Sequence, residues 1–165
     1  MAVEPRESVK EQRIRVRVGN EQVHYMNGLA AGAFVLQLFG DAGGCLSIRR
    51  EGIGGALVGY DTVDIFYPVH VGDLVEVVAR NIRVGNTSRQ TEYYAYLLLS
   101  RYDESGVQGR WREFDPPMLV AHAISTSVIA KENQFGGPLI VDSTERNKRS
   151  EEKIARKKRR LQQEL

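Results

Sequence analysis

The chain has 165 residues, 42% of them hydrophobic and 27% charged, which fits one ordinary globular domain with a sizeable core. It has no apolar run of the roughly 18 residues that a membrane-spanning helix needs, and its polar N-terminus lacks the apolar segment of a secretory signal. The net charge of +2 is uneven, with +4 in residues 141–165 and −2 in the remainder, so a nucleic-acid function would depend on that tail alone.

The first predicted elements are a polar lead over residues 1–12 and a strand. Charged and aliphatic residues alternate in "RIRVRV" (13–18), which places Ile14, Val16 and Val18 on one face, as in a half-buried strand. The loop "GNEQVHYMNG" follows. Good helix formers at helical spacing then predict a helix over residues 30–48.

Four further strands are predicted after the helix. They are "ALVGYDTVDIFY", "DLVEVVARNIRV", "RQTEYYAYLLLSRY" and, beginning after Pro116-Pro117, "MLVAHAISTSVIAK", with the turns "GNTS" and "DESG" between them. This order predicts an α+β domain over residues 13–140, in which an antiparallel sheet rolls around one long helix. Its edge strands need a partner, and dimerisation through an edge is the simplest solution. The basic tail, 141–165, has too few apolar residues for a core-facing stripe, which predicts a solvated helix or a disordered segment.

Asp41 interrupts the apolar pattern of the helix. At 3.6 residues per turn, it shares one face with Phe34, Leu38 and Cys45. One interpretation is a surface Asp, or one bonded to a nearby hydroxyl or backbone group. The other is a functional carboxylate held against an apolar wall, where removal from water favours its protonated form and suits it to proton transfer.

Gly43 and Gly44 follow Asp41, and each costs a helix roughly 1 kcal/mol relative to Ala. Either another group approaches the helix closely there, or the helix ends or kinks at this point. The small residues of "HYMNGLAAG" stand at the other end, where the free N–H groups of a helix N-terminus can polarise a carbonyl or bind an anion.

Three blocks carry a resemblance to a known fold. They are "HYMNGLAAGAFVLQLFGDAGG" (24–44), "VDIFYPVHVGDLVEV" (63–77) and "RVGNTS" (83–88). Together they resemble the hotdog fold, in which a long sheet wraps one central helix, and within it the enzymes that act on CoA thioesters. Gln37, Gly40-Asp41 and Gly59-Tyr60 are most similar to the β-aminoacyl-CoA ammonia-lyases, of the β-alanyl-CoA and 3-aminobutyryl-CoA type. The resemblance implies reversible elimination of ammonia from a 3-aminoacyl-CoA to give a 2-enoyl-CoA.

That reaction needs a base for the α-proton, a donor to the enolate oxygen and a proton for the departing amine. Asp41 is the candidate base and acid, and it would also attract the substrate ammonium. The N–H groups near Gly32 and Ala33 are the candidate enolate donors. His24 and Tyr25 could approach the same site, although a loop His is more often solvated.

CoA needs cationic side chains and backbone N–H groups for its phosphates. Arg83, Asn86, Ser88 and Arg89 surround the turn that hotdog proteins place beside the pantetheine arm, and the alternative is an ordinary polar turn. Arg49 and Arg50 are weaker candidates. No separate cofactor is expected, because CoA enters as part of the substrate.

The remaining chemistry-bearing residues predict structural roles. We expect His70 to be structural or on the surface, His122 to be packed and Cys45 to be buried. No His/Cys/Asp cluster has metal-ligand spacing, so we infer no metal and no thiol nucleophile. A single Cys fits a reducing cytoplasm.

Three other functions remain open on the residues alone. An acyl-CoA thioesterase would use the same Asp to activate water. A 2-enoyl-CoA hydratase would need an Asp-x-x-x-x-His pair, which is absent. A non-catalytic acyl-CoA sensor or assembly module is the third. The expected partners are a CoA thioester and a second copy in a homodimer, with a hexamer as the larger assembly to consider, and neither nucleic acid nor a membrane.

Overall fold

The computed structural model describes residues 6–101 and 109–163. Within these, five strands form one antiparallel sheet in the order β1-β3-β4-β5-β2. The strands are β1 (Glu11–Arg17), β2 (Ala56–Ile65), β3 (Leu74–Val84), β4 (Ser88–Ser100) and β5 (Arg112–Val128). The helices are α1 (Gly32–Glu51) and α2 (Thr144–Gln163), with short 3₁₀ turns at Asn20–Gln22, Met26–Gly28 and Lys131–Asn133. The predicted α+β architecture is therefore confirmed.

Helix α1 packs one stripe of side chains on the inner face of the sheet. The stripe consists of Val35, Leu38, Phe39, Ala42 and Leu46, all nearly inaccessible to solvent. Small residues on the sheet let the helix approach closely, and together with larger aliphatic ones they form the facing part of the core: Val75, Val77, Ala79, Ala95, Leu97, Ala121 and Ala123. The helix has a 3.6-residue period and the strands a two-residue period, so each contributes one continuous apolar face.

Two predicted boundaries are wrong. Helix α1 spans Gly32–Glu51 instead of the predicted 30–48, and it ends on Gly52, whose φ of 87° is the left-handed conformation that suits glycine. It continues through Gly43 and Gly44, so of the two alternatives for these glycines the helix does not end there. Strand β5 starts before Pro116-Pro117 rather than after it. The pairing with β4 shifts register between Leu97 and Leu99, so the prolines sit in an irregular stretch where their missing N–H breaks no ladder bond. The predicted "DESG" turn lies outside the described residues.

The turn before β3 is held by a buried carboxylate. Asp73 is fully buried, and its Oδ2 and Oδ1 accept hydrogen bonds from the His70 N–H at 2.8 Å and the Ser100 hydroxyl at 2.7 Å. Gly72 has a φ of 88° in the same turn. The Val-Gly-Asp part of the second sequence block is therefore a turn-forming element.

The basic tail forms α2, which buries none of its residues in the chain. In the part of the chain that the structure describes, no helix is both long and apolar enough to cross a membrane.

Candidate active site

The loop before α1 places two predicted site residues beside the helix start. The backbone N–H groups of His24 and Tyr25 both donate to the Leu29 carbonyl, at 3.1 Å and 3.3 Å. Both side chains are exposed, and their rings pack edge-to-face with centroids 5.2 Å apart. Asn27, which the sequence reasoning did not single out, has a φ of 63°. A non-glycine residue in this conformation often marks a functional loop, but the strain is visible only in the folded backbone.

The first turn of α1 has free backbone donors. Ala31 precedes the helix and makes no side-chain cap. The N–H groups of Ala30 and Ala31 donate to the carbonyls of Val69 and Gln22, and that of Phe34 donates to Ala31. No described residue accepts from the N–H groups of Gly32 and Ala33. These two donors can hydrogen-bond a ligand oxygen.

Gly32 is also a point of close approach between α1 and β2. A Cβ at this position would lie 3.1 Å from the Ile65 side chain. The end of β2 therefore lines the helix start, and a side chain at position 32 would require the end of the Ile65 side chain to shift by a few tenths of an ångström.

Asp41 lies on the open face of α1. Its side chain is exposed, as is Cys45 one turn further on. The expectation that Asp41 shares a face with the core is therefore wrong within one chain, and so is the expectation of a buried Cys45. The sheet covers the stripe through Leu38 and Ala42 instead, because those side chains point at β3 and β4.

Asp41 is also far from the helix start in its own chain. Nine residues separate Gly32 from Asp41, which is about 13.5 Å along the axis at 1.5 Å per residue. Reacting groups of one thioester must lie within about 3–3.5 Å of their catalytic partners. One chain alone therefore does not bring the Gly32 N–H and the Asp41 carboxylate to the same reacting centre.

A tyrosine pair packs against the glycines of α1. A Cβ on Gly43 would collide with the Tyr93 hydroxyl, which is 3.0 Å from the Ser125 hydroxyl. Tyr60 donates its hydroxyl to the Leu36 carbonyl at 3.1 Å. Burial raises the pKa of both tyrosines, with Tyr93 adding to the effect on Tyr60. A small cleft of about 60 Å³ lies beside them, next to Gly40 and Gly44.

The turn between β3 and β4 divides the four predicted CoA-binding residues. Arg83 and Asn86 are exposed, and Ser88 is half-buried. Arg89 is only 2% exposed, and its guanidinium is held by Glu51 and by the carbonyls of the turn. Because its guanidinium is buried and bonded to these internal partners, Arg89 is not suited to a direct phosphate contact. The weaker candidates differ as well, since Arg49 is exposed and Arg50 is nearly buried and donates to the Val9 carbonyl.

His122 packs on the outer face of the sheet, where its Nε2 is 3.0 Å from Glu92 Oε1. This contact is the main reason why the pKa of Glu92 is lower than the ordinary 4.5. His70 is partly exposed near the turn that Asp73 stabilises. Among the described residues, no group of three or more His, Cys, Asp and Glu side chains could hold a metal ion.

Exposed apolar side chains occur both on α1 and on β2, an edge strand of the sheet that the described residues form. Within residues 6–101 and 109–163, strand β2 pairs only with β5. Six apolar side chains on or directly after β2 are between 39% and 66% exposed: Leu57, Val58, Val63, Ile65, Phe66 and Tyr67. On α1, Ile48 is 44% exposed on the same side as Asp41 and Cys45. Large exposed apolar side chains in this number indicate a candidate protein–protein interface.

Comparisons with known proteins agree with the fold and the motifs. A 3-aminobutyryl-CoA ammonia lyase of Acetoanaerobium sticklandii is 34% identical over 122 residues, which are 73% of this chain and 95% of the relative. Among solved structures, the β-alanyl-CoA:ammonia lyase from Clostridium propionicum is similar with a TM-score of 0.74 and 27% identity, over 79% of this chain and 92% of that one.

A hexameric hotdog-fold thioesterase of Campylobacter jejuni is similar with a TM-score of 0.57 and 19% identity, over 85% of this chain and 91% of that one. Likeness at this low identity shows the fold alone, and it confirms the predicted hotdog fold. No family model matches the chain.

Proposed function

The chain belongs to the family of 3-aminobutyryl-CoA ammonia lyases, and from this premise we propose that it reversibly eliminates ammonia from a 3-aminoacyl-CoA thioester to give a 2-enoyl-CoA. The observation that carries the proposal is the 34% identity over 95% of a lyase of that name, supported by the β-alanyl-CoA lyase of the same fold. The candidate substrates are 3-aminobutyryl-CoA and β-alanyl-CoA. The reaction needs no separate cofactor, because the thioester itself activates the α-proton.

The helix start is suited to hold the enolate. Loss of the α-proton places negative charge on the thioester oxygen, and fixed N–H donors stabilise that charge without reorganisation. The N–H groups of Gly32 and Ala33 have no acceptor among the described residues, so they are available for this oxygen. His24 and Tyr25 are exposed on the loop that precedes these donors, and their proposed role is to contact the substrate there.

Asp41 is the proposed base. Its carboxylate attracts the substrate ammonium and takes the α-proton, and the electron pair passes through the enolate to form the Cα–Cβ double bond. The Cβ–N bond then breaks, and because the amine is protonated it departs as neutral ammonia. The proton on Asp41 returns to solvent, and in the reverse direction the same carboxylic acid protonates the α-carbon.

Two copies of the chain would complete this site. The helix start and Asp41 of one chain are too far apart to act on one thioester, and Asp41 lies on the face of α1 that the sheet leaves open. We place the second copy against the apolar surface formed by β2 and this open face, so that Asp41 of one protomer meets the helix start of its partner. Burial in that interface would supply the water-poor surroundings that Asp41 lacks in the single chain.

The turn at residues 85–88 is the proposed CoA contact. Arg83 and Asn86 are exposed beside it, and Ser88 offers a hydroxyl at its end. Arg83 is the cationic side chain among them, and it suits a CoA phosphate.

A spectrophotometric assay tests the function. The protein is mixed with crotonyl-CoA or acryloyl-CoA, with and without ammonium, while the enoyl absorbance and free thiol are followed. The lyase proposal predicts ammonium-dependent loss of enoyl absorbance without thiol release. Loss without ammonium would identify a hydratase instead, thiol release a thioesterase, and CoA-ester binding without turnover a sensor.

A further inference from the structure

A buried ion pair ties the end of α1 to the turn at residues 85–88. Glu51, the last residue of α1, and Arg89 of β4 have side chains that are 1% and 3% exposed. Arg89 Nε donates to Glu51 Oε1 at 2.7 Å. Arg89 Nη1 donates to the carbonyls of Gly85 at 2.8 Å and Ser88 at 3.0 Å. One guanidinium therefore connects the helix to both ends of the turn.

The other two carbonyls of the turn are held by the segment after β5. Gln134 Nε2 donates to the Asn86 carbonyl at 2.8 Å, and the Ile129 N–H donates to the Thr87 carbonyl at 2.8 Å. The Phe135 N–H in turn donates to the Glu51 carbonyl at 2.9 Å. All four carbonyls of the turn thus accept hydrogen bonds from inside the protein, and the turn's shape is fixed before a ligand arrives.

The ion pair is poorly arranged for stability alone. Glu51 Oε2 is buried and has no hydrogen-bond donor among the described residues, and an unpartnered buried acceptor is destabilising. Apolar side chains of similar volume often replace a buried ion pair with no loss of stability. An apolar pair, however, could not donate hydrogen bonds to the Gly85 and Ser88 carbonyls, as Arg89 does when Glu51 holds it in place. The specific effect of the pair is therefore on the geometry of the turn.

We propose that Glu51 is a positioning residue that acts through Arg89 on the 85–88 turn and so sets the affinity of the site for the CoA part of the substrate. This inference rests on the proposed function of the turn. Glu51 contacts no substrate in this arrangement. Its loss should weaken the recognition of CoA and leave the proton transfer at Asp41 intact.

Kinetics with full-length and truncated thioesters test this role. The variants are Glu51→Gln, the apolar pair Glu51→Leu/Arg89→Met, and Gln134→Ala, which loosens the turn without leaving a buried charge unpaired. The substrates are crotonyl-CoA and the crotonyl thioester of N-acetylcysteamine, each with ammonium. The apolar pair variant loses both Arg89 hydrogen bonds to the turn, which predicts a roughly 10-fold rise in KM for crotonyl-CoA with kcat within about 2-fold of wild type. KM for the N-acetylcysteamine thioester, which lacks the nucleotide, its phosphates and most of the pantetheine arm, should not change.

A matched control removes a different partly buried ion pair. Glu76 bonds Arg13 and Arg15 on the outer face of the sheet, so Glu76→Gln should leave both KM values unchanged. If the apolar pair variant folds and keeps the wild-type KM for crotonyl-CoA, the positioning role is refuted. If that variant fails to fold, Glu51→Gln decides between the same two outcomes.

Calorimetric titration with CoA separates this inference from the proposed reaction. If the wild type binds CoA without lyase turnover, the proposed reaction fails, and the ratio of CoA Kd values between variant and wild type still decides the role of Glu51. If the wild type binds no CoA, both the proposed turn function and the role of Glu51 are overturned.

Discussion

Gly43 of α1 and Tyr93 of β4 lie so close together that any side chain at position 43 would overlap the tyrosine hydroxyl. The hydroxyl is fixed in turn by Ser125, 3.0 Å away, and the Tyr93 ring stacks on Phe39 with centroids 5.1 Å apart. Gly43 therefore brings the helix and the sheet together beside Asp41. Gly44 differs, because a Cβ there would meet no atom within 4 Å.

This contact predicts opposite effects for two neighbouring substitutions. Gly43→Ala should lower the free energy of unfolding. The overlap with Tyr93 costs about 1–3 kcal/mol, which exceeds the roughly 1 kcal/mol that alanine gains in helix propensity. Gly44→Ala in the same chain should instead gain that propensity. Urea unfolding checks both variants, and Tyr93→Phe in the Gly43→Ala background should recover part of the loss. Equal effects of the two Gly→Ala variants would contradict the role assigned to Tyr93.

Asp41→Asn should abolish turnover and leave folding intact. The amide cannot accept the α-proton, and loss of a general base typically reduces the rate by about 10²–10⁴-fold. The exposed location of Asp41 in the chain means that the change leaves no buried polar group unpaired. Ammonium-dependent consumption of crotonyl-CoA measures the rate, and circular dichroism monitors folding.

Cys45→Ser is the matched control for Asp41→Asn, one helical turn away on the same exposed face. It should keep kcat close to wild type. Wild-type activity of Asp41→Asn would remove Asp41 from the mechanism, whereas loss of activity in both variants would indicate that the face is needed for assembly rather than for proton transfer.

Mixing two inactive variants tests whether the site is shared between protomers. Gly32→Pro removes one proposed enolate donor at the first helical position, where proline is tolerated and where Ala31 already has the extended conformation that a following proline requires. Gly32→Pro and Asp41→Asn should each be inactive alone. In a one-to-one mixture of dimers, about half are mixed and one of their two sites is intact, so about a quarter of the wild-type activity should return.

Two further measurements make this complementation conclusive. The chains must exchange, which mass spectrometry of a tagged mixture reports directly. Exchange without recovery of activity would place the Gly32 N–H and Asp41 carboxylate of each site in the same chain, against the helix geometry.

Val58→Lys on the exposed edge of β2 should reduce both dimer formation and activity, while Ile154→Lys on α2 should affect neither.

The Glu92–His122 contact predicts a stability change in acid. The hydrogen bond from His122 lowers the pKa of Glu92 below its ordinary 4.5, so the native state favours the ionised carboxylate. The stabilisation that the ionised Glu92 provides is fully present above pH 4.5 and is lost as the pH falls through the lowered native pKa of Glu92. Glu92→Gln should therefore be less stable than wild type near neutral pH, and the difference should shrink as the pH falls below 4.5. Thermal unfolding across this range measures it, and a difference that persists at low pH would indicate lost packing instead.

The sequence alone determined the order of the elements and the family. The strands could be predicted because polar and apolar residues that alternate along a segment, as in "RIRVRV", indicate a strand with one face covered. The blocks "PVHVGD" and "VGNTS" identify the fold because each is a tight turn with local backbone demands, including the positive φ of Gly72 and the side-chain hydrogen bonds of Asp73. Such demands act between neighbours in the chain, and a sequence displays them directly.

Tertiary structure alone decided which of those residues face solvent. Asp41 and Ala42 belong to adjacent stripes of α1 that both pass through Leu38, and helical spacing does not choose between them. The sheet covers the stripe with Ala42 and leaves Asp41 exposed. The position of Arg89 beside a turn predicts a phosphate ligand. Its guanidinium is instead bonded to Glu51, 38 positions away in the chain, in the protein interior. Burial and pairing depend on groups distant in sequence, so local patterns named the candidates and the packing of the chain assigned their contacts.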